Sequence, residues 1–311
     1  MRILITGAEG FVGGHLIREL FRRGHTVGGT YLYTQGDAAD VSWFPCDLAE
    51  RDYIRKIIAE FLPDAVIHLA AVSHVPDARS HYELAFKTNV TGLVHLLSAV
   101  YDYTPRCRVL SISSGEIYGQ TDLDDLPVGE DHPLVPRNIY GLTKECAEKI
   151  SLFYSRERAL PITILRPFNQ FGPRQEERFV TASFARQVAR VKRGLEEPVI
   201  QVGNLSVKRD FTDVRDMVVA YAHAVEMELD TGPFNICSGR SVSIEKILKT
   251  LISIAEIDVE IVVDTARLRK ADISEMRGDA SKFRAATGWS PSIPLEDTLR
   301  DVFEQWVRNM G

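Results

Sequence analysis

The chain has few of the features that would set it apart from ordinary globular enzymes. Its four cysteines, Cys46, Cys107, Cys146 and Cys237, lie far apart in 311 residues, and no two share a CxxC spacing. That pattern argues for buried thiols and against a disulfide framework or a cysteine-bound zinc. Its eight histidines show no HExxH or comparable ligand spacing, so metal catalysis is not expected. No apolar run reaches the ~18 residues needed to cross a bilayer. The opening Met1-Arg2-Ile3-Leu4-Ile5-Thr6-Gly7 lacks the charged and then apolar pattern of a leader, so a cytoplasmic location is expected. Basic excess is missing too: 37 Lys+Arg stand against 43 Asp+Glu, a net charge of −6. Nucleic acid and membrane partners, which call for a basic face, are therefore not expected. An anionic ligand would have to be held by a few placed cations.

What is present is a normal globular balance, 45% hydrophobic and 26% charged, and enough chain for about two units of ~150 residues. Arg2-Ile3-Leu4-Ile5-Thr6 reads as a strand that ends at Gly7, and Phe11, Leu16, Leu20 and Phe21 then give helical spacing to Arg23. A second strand opens at Gly24 to Val27, a third spans Val41 to Pro45, and Asp52 to Leu62 reads as a helix stopped by Pro63. Ala65 to Ala70, Val109 to Ser113 and Ile162 to Leu165 are apolar on both faces, as strands of a helix-covered parallel sheet must be. This alternation predicts an α/β fold with a doubly wound parallel sheet. Beyond Arg166 the alternation loosens into a Gly/Pro/Arg-rich passage, a helix near Ala182 to Lys192, a charged loop from Asn204 to Asp210 and a helix from Val214 to Glu226. The expected organisation is a dinucleotide-binding domain over residues 1–165, with a return segment at about 211–238, and a smaller mixed substrate domain over 166–311.

Gly7-Ala8-Glu9-Gly10-Phe11-Val12-Gly13 places GxxGxxG between the first strand and the first helix. Glycines there permit a tight turn and a close approach of pyrophosphate to the helix N-terminus, so Gly7, Gly10, Phe11, Val12 and Gly13 are candidate cofactor residues. At the end of the second strand, Thr30-Tyr31-Leu32-Tyr33-Thr34 offers neither the carboxylate that suits a 2′-hydroxyl nor the Arg that suits a 2′-phosphate. The missing carboxylate leans the expectation toward NADP over NAD.

Tyr140 and Lys144 stand four residues apart at the start of a helical segment, so both project from one face. A phenol is a poor acid or base near neutral pH unless a cation stabilises its anion, a role open to Lys144. Ser114 ends a sheet strand, where α/β sites collect, and is placed to hydrogen-bond a reacting oxygen.

Together with Asp47-Leu48, His68-Leu69-Ala70-Ala71, Thr88-Asn89-Val90, Ser113 to Gly119, Tyr140 to Lys144 and Arg166-Pro167-Phe168-Asn169, the glycine loop resembles the extended short-chain dehydrogenase/reductases that act on nucleotide sugars. The resemblance implies that Asp47 and Leu48 line the adenine, that Leu69, Ala70, Ala71 and Asn89 lie along the cofactor, and that Ser114, Tyr140 and Lys144 carry hydride-linked proton transfer. Glu116 matches the proton-abstracting glutamate of dehydratases, whereas Gly115 departs from the aspartate of the dTDP-glucose type. Asn169 would meet a substrate oxygen. Gly203 to Asp216 resembles the stretch whose arginine, here Arg209, meets the substrate diphosphate, and Arg269-Lys270-Ala271-Asp272-Ile273 would add Arg269 on the diphosphate and Asp272 on the ribose. Phe179 to Ala185, with Val180 at the substrate, looks most like the GDP-sugar branch. The expected activity is reduction of a GDP-4-keto-6-deoxy-hexose to GDP-D-rhamnose or a near relative. Alternatives are a GDP-mannose 4,6-dehydratase, a 4-epimerase and a cofactor-binding regulator of the same fold. Helices at Phe86 to Val100 and Tyr140 to Tyr154 resemble the family's dimer contact, which implies a homodimer.

Overall fold

The computed structural model describes residues 1–267 and 273–310. Its strands are β1 (Arg2–Thr6), β2 (Thr26–Tyr31), β3 (Ser42–Pro45), β4 (Ala65–His68), β5 (Arg108–Ile112), β6 (Ile162–Pro167), β7 (Asn169–Phe171), β8 (Val199–Val202), β9 (Lys208–Asp213), β10 (Pro233–Ile236), β11 (Ser241–Ser243), β12 (Glu260–Val263) and β13 (Glu275–Met276). Its helices are α1 (Phe11–Arg22), α2 (Arg51–Phe61), α3 (Val75–Ser80), α4 (Tyr82–Phe86), α5 (Gly92–Tyr103), α6 (Ile139–Arg158), α7 (Val180–Lys192), α8 (Val214–Glu226), α9 (Ile244–Ala255), α10 (Ser281–Thr287) and α11 (Leu295–Asn309).

Seven strands form one parallel sheet in the order β10-β6-β5-β4-β1-β2-β3. The chain leaves β1 toward β2 on one side and later returns to β4 on the other, with Ile3 opposite Ala65 and Arg2 opposite Thr26. That reversal beside β1 is the point where α/β sheets open a crevice at their carboxyl ends. The sheet core is dry on both faces. Ile3, Ile5, Ile67 and Leu110 pack with Leu16, Leu20, Met217 and Tyr221 of α1 and α8, and Leu4, Val66, Val109 and Ile164 pack with Ile54, Ile58, Leu96 and Ala147 of α2, α5 and α6. Both α8 and β10 thus rejoin the sheet after the chain has left it. A third apolar core joins Phe171, Phe184, Val188, Phe211, Leu248 and Leu299 from β7, α7, β9, α9 and α11.

The expected parallel sheet is present, and several elements correct the finer reading. Lys208–Asp213 is strand β9 and not part of a charged loop. Asp210 can sit inside a sheet because its carboxylate accepts the N–H groups of Ser238, Gly239 and Gly278 and the Ser238 hydroxyl, which replaces lost hydration. The segment Phe86 to Val100 is not one regular helix: a π-helical turn occupies Lys87–Thr91 before α5, and such turns often sit at functional sites. β4 stops at His68, two residues early, and the Ala70 N–H goes to Thr6 Oγ1 in place of a strand partner.

Candidate active site

Gly7 lies at φ +68°, and a Cβ there would stand 2.8 Å from Ala70 Cα and 2.9 Å from Ala70 N. At Gly13 a Cβ would fall 2.3 Å from the Ala8 carbonyl oxygen. Only glycine lets β1, β4 and α1 converge this closely. α1 begins after Gly10 with no side-chain cap and no acidic residue in its first turn, leaving a backbone cradle suited to an anion. The loop therefore fits a dinucleotide pyrophosphate. Asp47 accepts the Ala49 N–H at 2.9 Å, but the cap of α2 is Glu50. Leu48 is buried, and a Cβ at Gly92 of α5 would meet its Cβ at 2.9 Å.

Asn89 uses its amide differently from the expected cofactor contact. Its Oδ1 accepts the Val72 N–H at 2.8 Å, and its Nδ2 donates to the Val72 carbonyl and to Thr143 Oγ1. It ties the loop after β4, which carries Ala70 and Ala71, to α6. Thr6 Oγ1 reinforces the same corner, 2.8 Å from His68 Nδ1 and accepting the Ala70 N–H at 3.3 Å. Burial, with the Lys144 charge adding to it, pushes His68 down to about 3, so the ring is neutral at physiological pH.

Ser114 follows β5 and is buried; its Oγ accepts the Glu116 N–H at 3.2 Å, which leaves the hydroxyl proton for another acceptor. The Ser114 side chain also hydrogen-bonds Tyr140. Asn138 caps α6 by accepting the Gly141 N–H at 2.8 Å, while its Nδ2 donates to Glu116 Oε2 at 2.8 Å. One asparagine thus links Glu116 to the first turn of the helix that carries Tyr140 and Lys144. An Asn just ahead of an amphipathic run is a readable cap signal, although the candidate residues drawn from sequence passed over Asn138 and His68.

Lys144 is buried, donates from Nζ to the Ile112 carbonyl at 2.8 Å and lies 5.9 Å from the centre of the Tyr140 ring. Burial lowers it to about 8. The expectation that its charge holds the phenol near neutrality is corrected here. Tyr140 is pushed up to about 12, first by burial and also by the Glu116 charge, against the Ser114 hydrogen bond. Low-dielectric surroundings disfavour the phenolate, so in the cofactor-free chain Tyr140 is held as the protonated acid.

Phe168 packs against two glycines. A Cβ at Gly115 would lie 3.1 Å from its Cγ, and one at Gly278 2.5 Å from its Cζ. Asn169, next in chain, opens β7 opposite Phe211 of β9, two residues from Arg209. Arg209 Nη1 donates to the carbonyls of Ile273 at 2.7 Å and Lys208 at 2.8 Å. Val180 is the first residue of α7 and is 36% exposed. Arg269 and Asp272 fall outside the described residues.

A glycine cradle at the strand reversal, with Ser114 just after β5 and Tyr140 and Lys144 at the start of α6, defines a nicotinamide-dependent short-chain dehydrogenase/reductase. The model of the family described as GDP-mannose 4,6 dehydratase matches residues 4–302, and the chain belongs to that family. It is 36% identical to the GDP-6-deoxy-D-mannose reductase of Pseudomonas aeruginosa, over 98% of this chain and 97% of that protein. Among solved structures it resembles RMD from Pseudomonas aeruginosa complexed with NADPH, at a TM-score of 0.89 and 34% identity, with 99% of each chain covered. It also resembles the UDP-glucose 4-epimerase of Thermus thermophilus in complex with NAD, at a TM-score of 0.88 and 26% identity, covering 98% of this chain and 99% of that one. Among the described residues no helix is long and apolar enough to cross a membrane.

Proposed function

We propose that this chain reduces the 4-keto group of a GDP-4-keto-6-deoxy-hexose, forming GDP-D-rhamnose or a close relative. The observation that carries this reading is the pairing of Tyr140, held as a protonated phenol, with the Ser114 hydroxyl and the neighbouring Lys144. A ketone that accepts hydride at C4 needs a proton at its oxygen, and this arrangement has one to give. A bound nicotinamide dinucleotide, NADP(H) or NAD(H), supplies the hydride. Gly7, Gly10, Phe11, Val12 and Gly13 hold its pyrophosphate, Asp47 and Leu48 line the adenine, and Leu69, Ala70 and Ala71 form the opposing wall that Asn89 fixes. Ser114 donates to the sugar oxygen, Tyr140 transfers its proton there, and Lys144 binds the nicotinamide ribose. Asn169, Val180, Arg209, Arg269 and Asp272 hold the GDP-sugar, with a guanidinium suited to the diphosphate by its forked donors.

The alternative within the family is 4,6-dehydration with Glu116 as base. Gly115, packed under Phe168, places no carboxyl acid there to protonate a departing hydroxyl, which speaks against the dTDP-glucose type of dehydratase and not against the GDP-mannose type. The separating experiment supplies the chain with GDP-mannose alone, and with GDP-4-keto-6-deoxymannose plus NADPH or NADH. Reduction consumes one reduced cofactor per ketone. A loss of water from GDP-mannose with no net cofactor consumption would overturn the reading in favour of dehydration. A homodimer in the cytoplasm belongs to the same proposal, its dimer contact supported by exposed Leu142, Leu152 and Phe153 on α6 and exposed Tyr101 and Tyr103 on α5.

A further inference from the structure

The glycine loop is laced to the end of β2 by three hydrogen bonds. Gly7 N–H donates to Thr30 Oγ1 at 3.1 Å, Ala8 N–H to the Thr30 carbonyl at 2.9 Å, and Leu32 N–H to Glu9 Oε1 at 2.9 Å. The last of these anchors an exposed carboxylate at the carboxyl end of β2. In a doubly wound fold that is the corner where the adenosine ribose presents its 2′-position. The local charge is one-sided. Residues 24–50 contain no lysine or arginine and four acids, Asp37, Asp40, Asp47 and Glu50. Nearby, the Cys46 thiol is pushed up by burial, with the charges of Asp47 and Glu9 adding to it.

We propose that Glu9 sets the cofactor preference of this chain toward NAD(H) over NADP(H). The carboxylate accepts a hydrogen bond from a free 2′-hydroxyl and repels a 2′-phosphate, and no neighbouring cation in this segment offsets the repulsion. Sequence inspection at the end of β2 misses this because the carboxylate reaches the corner from the glycine loop, 22 residues before Tyr31. The inference rests on the dinucleotide site of the proposed function but not on the identity of the sugar.

The test is a binding titration of the full chain with NADH and with NADPH, followed by fluorescence of the reduced cofactor in the absence of sugar. NADH is expected to bind at least about tenfold more tightly. Glu9→Gln keeps an oxygen acceptor for Leu32 N–H while removing the charge, and should narrow the ratio by weakening the rejection of NADPH. Glu9→Lys should invert it. Equal or tighter NADPH binding by the unaltered chain, or a ratio unchanged in both variants, would overturn the proposal. Failure of both cofactors to bind would overturn the dinucleotide site itself and the proposal with it. Binding of both cofactors with no turnover of the keto sugar would leave this inference standing and count against the reductase alone.

Discussion

Tyr140 and Lys144 lie in the first two turns of α6, and Glu148 lies one turn further along the same helix, yet the two stretches use their polar groups in opposite ways. Glu148 and Arg166 form an ion pair with both side chains 4% exposed. Arg166 gives Nε and Nη2 to the two Glu148 oxygens and Nη1 to Tyr118 Oη and the Glu130 carbonyl, and Tyr118 donates to Asn235 Oδ1 at 2.7 Å. The protein itself answers these donors, and the network ties α6 to β6 and β10. In the first turns Ser114 and Tyr140 share one hydroxyl proton between them and keep one for a ligand, and Lys144 spends a donor on a backbone carbonyl. Polar groups whose partners are all supplied from within hold the fold. Those with a proton to spare are the groups to which the proposed reaction assigns the chemistry.

The largest effect should come from breaking the inner network. Glu148→Ala strands the Arg166 guanidinium in the core, and loss of one partner of a buried pair costs about 3–5 kcal/mol. Denaturant unfolding should show that loss. Replacing both partners, Glu148→Leu with Arg166→Met, should recover part of it, and if the double variant is no more stable than Glu148→Ala, the stranded charge is not the cause.

At the cleft end the effect should be on rate and not on stability. Tyr140→Phe keeps the ring and removes the proton, so turnover should fall by at least ~10² while the reduced cofactor still binds and the unfolding midpoint barely moves. A large loss of stability with turnover per folded molecule preserved would erase the contrast between the two stretches.

Much of this arrangement is legible in the residues, and what is not has identifiable causes. α8 occupies Val214 to Glu226 as its spacing predicts, since its apolar face is wide and its start is capped by Asp213, which accepts the Arg215 N–H. β1, the glycine loop and the α1 start are equally plain because turn chemistry, periodicity and position agree there. β9 is hidden because its first residues are Lys208, Arg209 and Asp210, a polar run of which only Asp210 is buried, and that burial depends on donors from Ser238 to Gly278 far along the chain. The titration of Tyr140 is hidden for a similar reason: Lys144 is adjacent by helical spacing, but the desolvation that dominates both groups belongs to the folded cleft.

The smallest expected effect probes the joint between the two stretches, Asn138. Asn138→Ala removes the acceptor for Gly141 N–H and the donor to Glu116 Oε2 together. Loss of an N-cap side chain costs about 1 kcal/mol, well short of the penalty for a stranded buried charge, so a modest fall in the unfolding midpoint is expected. The catalytic consequence should exceed the structural one, because Tyr140 stands in the turn that the cap orders and Glu116 would be released beside it. Asn138→Asp separates the two functions. The carboxylate still accepts from Gly141 N–H, but it meets Glu116 with like charge and no donor. Stability should then be largely restored while turnover stays low. Full recovery of turnover in Asn138→Asp would mean that the cap alone matters and that Glu116 needs no anchor to leave Tyr140 in working order.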